Sequence, residues 1–151
     1  MKIIDYYDSE FIKIHIEEIN KAEIIILKIK KNTPTEEEWE DFLKVFRRYY
    51  EFRLSQLKQK YIMMVRVEEM SLLPLTKIKQ FVKILKDNEE AIKECAIYTV
   101  FIVNSSLVKQ FLNFALTFYK NKKPVFFKTD YEAVYREIHT EISKQVSSTN
   151  S

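Results

Sequence analysis

Apolar residues recur along this chain at two periods, and the places where the period changes divide it into elements. Over residues 10–16, Phe11, Ile12, Ile14 and Ile16 alternate with Lys13 and His15, the pattern of a strand with one wet face. Residues 2–7 read as a preceding strand, joined to it through Asp8 and Ser9. By this alternation His15 is expected to face solvent, and residues 17–20, charged and polar, read as a turn. Residues 23–30 form a third strand, in which the unbroken run Ile24, Ile25, Ile26 and Leu27 calls for burial on both faces.

The period then lengthens. Thr33, Pro34, Thr35 and the acids Glu36, Glu37 and Glu38 make a helix start: either Thr35 and Glu38 form a capping box, or Thr33 caps with Pro34 at the first helical position, and the acids lie where the helix dipole favours negative charge. Trp39, Phe42, Leu43, Phe46, Tyr49 and Tyr50 continue at helical spacing, predicting a helix over residues 35–59. Beyond it, strands and helices alternate. Residues 61–67 read as a strand, and Pro74 opens a helix whose apolar face is Leu75, Ile78, Phe81, Val82 and Leu85. Residues 95–103 read as a strand, and Ser105 or Ser106 caps a helix carrying Val108, Phe111, Leu112, Ala115, Phe118 and Tyr119. Residues 124–128 form a last strand, and Thr129 or Asp130 caps a final helix with Tyr131, Val134, Ile138 and Ile142.

The resulting order, β-β-β-α-β-α-β-α-β-α, predicts one α/β domain over residues 1–146, followed by a polar tail at 147–151. Strands separated by helices imply parallel pairing through right-handed crossovers, with the leading strands as an antiparallel edge and the helices largely on one face of a mixed sheet. The core is expected to include Ile25, Leu27, Phe42, Phe46, Met63, Val65, Phe81, Leu85, Val100, Ile102, Phe111, Ala115, Phe126 and Val134.

Composition changes this picture mainly by exclusion. The 151 residues contain no glycine, which rules out a Walker loop, a dinucleotide fingerprint and a Gly-x-Ser-x-Gly elbow, because each needs glycine for positive φ or close backbone approach. A net charge of +3, from 25 basic and 22 acidic residues, gives no electrostatic case for nucleic-acid binding. One cysteine, Cys95, excludes an internal disulfide and suits a reducing compartment. No apolar run reaches the length of a membrane span, and the acidic N-terminus lacks the apolar stretch of a signal peptide, so a cytoplasmic protein is expected.

Candidate chemistry is sparse. His15 and His139 do not have a metal-ligand spacing, and Cys95 has no base beside it in sequence. Glu36–Glu38, Glu68–Glu69 and Glu89–Glu90 lie where solvated acids are common, and Arg47–Arg48 and Lys120–Lys128 are modest basic clusters. No cofactor, metal or catalytic group is expected.

From Tyr61 onward the chain resembles a STAS domain, the sulfate-transporter and anti-sigma-factor-antagonist family. Four segments carry the likeness: Tyr61-Ile62-Met63-Met64-Val65-Arg66-Val67 as the central strand; Met70-Ser71-Leu72-Leu73-Pro74-Leu75-Thr76-Lys77-Ile78 as the loop into the next helix; Tyr98-Thr99-Val100-Phe101-Ile102-Val103-Asn104-Ser105 as the following strand; and Pro124-Val125-Phe126-Phe127-Lys128-Thr129-Asp130-Tyr131-Glu132-Ala133 as the closing strand-turn-helix. The family's Asp-Ser-Ser-Gly signature, whose second serine is phosphorylated by a partner kinase, corresponds to Pro74-Leu75-Thr76-Lys77, where only Thr76 keeps a hydroxyl. The resemblance implies a non-enzymatic regulatory module that binds another protein through Ser71, Pro74, Leu75, Thr76 and Lys77, with Thr76 as the candidate phosphorylation site. Homo-oligomerisation and a role as subunit of a larger assembly stay open. The Sec14-like lipid-binding fold has a related element order and supplies the alternative, a small-ligand or lipid-binding domain, which needs an apolar pocket above about 300 Å³.

Overall fold

The computed structural model describes residues 1–67, 73–117 and 123–150, with the backbone alone for 114–116 and 145–150. Its strands are β1 (Lys2–Asp8), β2 (Ile12–Ile19), β3 (Ala22–Ile29), β4 (Lys60–Arg66), β5 (Ala96–Ile102) and β6 (Val125–Lys128). The helices are α1 (Glu36–Arg48), α2 (Ser55–Leu57), α3 (Leu75–Asp87), α4 (Glu89–Cys95), α5 (Ser106–Leu116) and α6 (Tyr131–Asn150), and a π-helical stretch, Tyr49–Leu54, joins α1 to α2. The strands form one mixed sheet in chain order, β1 to β6. Only β2 runs against the others, pairing antiparallel with β1 and β3, while β3 to β6 pair in parallel. The α/β domain and its alternation are as expected, with α4 added.

A sheet wound in one direction through crossovers of one hand collects its helices on one face. Here α1, the π stretch, α3, α4 and α5 share a core with Ile12, Ile14, Ile16, Ile25, Leu27, Met63 and Val65. This is the closed face. The chain crosses over only after β6, and α6 packs Val134, Ile138 and Ile142 on Ile24, Ile26, Ile62, Met64, Val100 and Ile102 of the other face. Because the strand order never reverses within the parallel part, the sheet has no switch-point crevice of the kind that holds ligands in doubly wound folds.

Local signals explain the ends. Thr35 and Glu38 form the capping box, with the Glu38 N–H donating to Thr35 Oγ1 at 3.1 Å and the Thr35 N–H to Glu38 Oε1 at 2.8 Å. Without glycine, the left-handed positions fall to Asn20 (φ 58°) in the two-residue turn between β2 and β3, and to Lys58 (φ 51°), which stops α2. Asparagine tolerates that region; the lysine costs about 1–2 kcal/mol relative to its ordinary conformations. The helix expected over 35–59 is interrupted by the π stretch, whose wider turn buries the consecutive Tyr49 and Tyr50 together with Leu54.

Four expectations need correction. Glu17, Glu18 and Ile19 belong to β2 and are not a turn, because side chains distant in sequence satisfy the two acids, Tyr135 by a hydrogen bond to Glu17 and Arg53 by an ion pair with Glu18. His15 is about one quarter exposed and packs toward α6, since its face of β2 is covered. Cys95 closes α4 and does not open β5. Phe126, expected in the core, is 43% exposed, because β6 ends the sheet and α6 crosses over β3, β4 and β5. Helix α6 also takes in positions 147–150 of the expected tail. The Glu68–Glu69 pair, Phe118 and Tyr119 lie outside the described residues, as does the side chain of Ala115.

Candidate interaction surface and polar clusters

The residues singled out in the sequence gather at the start of α3, at the carboxyl ends of the parallel strands. Pro74 precedes the helix in an extended conformation, and its carbonyl accepts from the Lys77 and Ile78 N–H groups. Pro74, Leu75 and Thr76 are exposed, Leu75 by 39%, so the helix begins with an apolar side chain and a hydroxyl in solvent. Lys77 has a different task. Its Nζ lies 2.7 Å from Glu36 Oε1 and 5.6 Å from the centre of the Trp39 ring, and Trp39 Nε1 donates to Gln80 Oε1 at 2.8 Å. These contacts, with Arg47–Asp87 at 3.1 Å, tie α3 to α1. Ser71 lies outside the described residues.

The neighbouring helix α5 starts at the same end of the sheet, after β5, and its second residue, Leu107, is 62% exposed. Two adjacent crossover helices thus each open with an apolar residue in solvent. Sequence reading placed Leu75 on the buried stripe of α3 and passed over Leu107. The available signal was position: residues in the first turn of a crossover helix stand above the sheet edge, beyond the core that the later turns reach.

Two buried carboxylates were missed. Glu23, 1% exposed, faces the closed side of β3. Its Oε1 accepts from the Tyr49 hydroxyl at 2.7 Å and its Oε2 from Arg53 at 2.9 and 3.2 Å. Arg53 also pairs with Glu18, which stands directly opposite Glu23 across β2 and β3, so one guanidinium neutralises two facing acids. Burial opposes the charge on Arg53, but its bonds to Glu23 and Glu18 hold its pKa above the ordinary value. Burial, then the negative Glu23, pushes the Tyr49 phenol well up, so it stays a donor.

Glu17, 2% exposed, faces α6. The Tyr135 hydroxyl donates to its Oε1, with His15 Nε2 3.5 Å from Oε2 and His139 Nε2 3.4 Å from Oε1. The buried His139 nitrogen lacks hydrogen-bond geometry to any partner. Tyr131, Tyr135 and His139 stack along α6 with centroid separations of 5.8 and 4.4 Å, and Arg66 caps the ladder, 3.8 Å from the Tyr131 ring centre. Burial and the bond to Glu17 push the Tyr135 phenol far up.

The carboxylate and imidazoles of this cluster could orient a proton, yet Thr140 and Ser143 on α6 turn their hydroxyls to the carbonyls of Arg136 and His139. Among the described residues no cluster of histidine, cysteine and acidic side chains could hold a metal ion. Burial pushes the Cys95 thiol up, away from thiolate chemistry. Among the described residues, no helix is long and apolar enough to cross a membrane.

Two spaces flank the sheet. Under the closed face, Tyr50, Tyr61, Met63, Phe81, Leu85 and Phe101 leave a void of about 40 Å³. On the other face, an open groove of about 490 Å³ runs between α6 and β6, over Tyr98, Val100 and Phe126, with Glu137 and Glu141 along one wall. No protein-family model and no curated protein matches the chain.

Proposed function

We propose that the domain is a non-enzymatic interaction module of the STAS type, regulatory or scaffolding, which binds another protein through the starts of α3 and α5. The observation that carries this reading is the pair of exposed apolar residues, Leu75 and Leu107, at one end of adjacent helices that bury Ile78, Val82 and Ile84 of α3 and Val108 and Leu112 of α5. Two features support it over the lipid-binding alternative: under the closed face the void of about 40 Å³ holds little more than a water, far below the about 300 Å³ of a ligand pocket, and the 490 Å³ space beside α6, although larger, is an open surface groove with Lys128, Glu137 and Glu141 in its lining, not an enclosed apolar cavity. Thr76, exposed in the first turn of α3, sits where a phosphate would meet the positive end of the helix dipole and change the charge of the proposed surface.

The test is affinity recovery from the native source with wild-type protein and with Leu75→Asp/Leu107→Asp, analysing bound proteins and extracted lipids together. Both sites are exposed, so the variant is expected to keep its thermal unfolding temperature and lose the partner. Equal recovery by the two proteins, or a stoichiometric lipid in place of a protein, would contradict the proposal.

A further inference from the structure

We infer that the outer edge of β6 is a dimerisation edge, on which a second copy of this chain pairs its own β6 antiparallel. Among the described residues nothing pairs with that edge, and β6 is the last strand of the sheet. Its backbone direction follows from its bonds to β5. The carbonyls of Pro124 and Lys128 accept from the Thr99 and Val103 N–H groups, at 3.1 and 2.8 Å. Alternation along a strand then aims the amides and carbonyls of Val125 and Phe127 outward.

Two such edges fit each other about a two-fold axis. With Val125 of one copy opposite Phe127 of the other, the outward groups make about four hydrogen bonds, and Phe126 falls opposite its own counterpart as a non-hydrogen-bonded pair. That places the two exposed Phe126 rings, each already edge-to-face with Tyr98 at 5.5 Å, side by side on the face that α6 leaves uncovered.

Charge selects a second copy as the occupant. In this register Lys128 of the second copy stands opposite Pro124 of the first. Helix α6 runs back down from the end of β6, so Glu137 and Glu141 line the groove together with Pro124 and Ile97 at the start of the strands, while the copy's own Lys128 lines it at their far end. Lys128 of each copy therefore meets the acidic wall of the other. The opposite edge of the sheet lacks this fit: β1 is bulged between Asp5 and Tyr7 and carries charges at Lys2, Asp5 and Asp8, features that discourage edge pairing. A contact built on one short strand belongs to the weak, transient class, so dimerisation should depend on concentration.

The test is sedimentation equilibrium of the full chain over a concentration series, with variants on a Cys95→Ser background where a thiol is introduced. Expected are a monomer–dimer equilibrium, at least a tenfold weaker dimer for Lys128→Glu, and recovery when Lys128→Glu is combined with Glu137→Lys and Glu141→Lys. Phe126→Cys should crosslink two chains on mild oxidation, because the paired Cα atoms would stand about 4.5 Å apart, and Ile3→Cys on β1 should not. The exposed Lys128 variants test the contact without touching the core, should Phe126→Cys fold poorly. A monomer at every concentration, a dimer indifferent to Lys128→Glu, or crosslinking through Ile3 would overturn the inference.

Discussion

The two buried carboxylates lie on neighbouring strands and are equally withdrawn from water, yet they are satisfied in opposite ways. Glu23, on the closed face, holds a guanidinium and a phenol, and its compensation is a permanent charge. Glu17, under α6, accepts from a phenol and stands near two imidazoles, so its compensation is a neutral hydrogen bond and not a permanent charge. The faces differ correspondingly. The Glu23 side is anchored by the π stretch beneath an aromatic cluster of Trp39, Phe42, Phe46 and Phe81. The Glu17 side is covered by one helix, which leaves β6 bare. A permanent ion pair lies where the core is thick, and a softer network lies where a single helix must be held down.

The sharpest way to break this contrast is to remove the permanent charge. Arg53→Met should leave Glu18 and Glu23 facing each other uncompensated and lower stability by about 3–5 kcal/mol, read from urea unfolding. A smaller loss would mean that the guanidinium contributes little and that the faces are more alike than their partners suggest. Tyr135→Phe removes one donor to the softly held carboxylate and should cost about 1.5–3 kcal/mol. Hydrogen exchange should show α6 opening before the closed face does, and equal opening of both would erase the distinction.

The smallest effect is alkaline. Burial, reinforced by the negative Glu141 and Glu137, raises the Tyr98 pKa from 10.0 to about 12. The folded state therefore favours the protonated phenol. That contribution is complete below pH 10.0, the unfolded value, and is lost as pH rises toward about 12. Tyrosinate absorbance should lose one phenol from its late-titrating amplitude in Tyr98→Phe, with Tyr49 and Tyr135 still contributing to that amplitude, and the variant should lose less stability than wild type across this interval.

Much of the architecture was legible because it is local. The capping box at Thr35 and Glu38, the alternation of β2 and the dense run of β3 each announce an element within a few residues. The polar clusters were not legible, because their partners are remote: Arg53 reaches back to Glu18 and Glu23, and Tyr135 on the last helix reaches the second strand. Read alone, adjacent acids at Glu17 and Glu18 suggest a turn. Phe126 failed for a related reason, since strand composition reports apolar character and not which strand ends the sheet. At the proposed partner surface the sequence led to Pro74, Leu75 and Thr76, while the structure turned Lys77 into a tether and added Leu107.

The central claim, that the domain works through the starts of α3 and α5, is tested most directly by photocrosslinking in the native source from single reactive residues placed at Leu75, at Leu107 and at the exposed Phe52 of the π stretch. The account predicts one and the same protein captured from positions 75 and 107 and not from 52. Capture of a lipid from 75 and 107, or the same capture from all three positions, would contradict it.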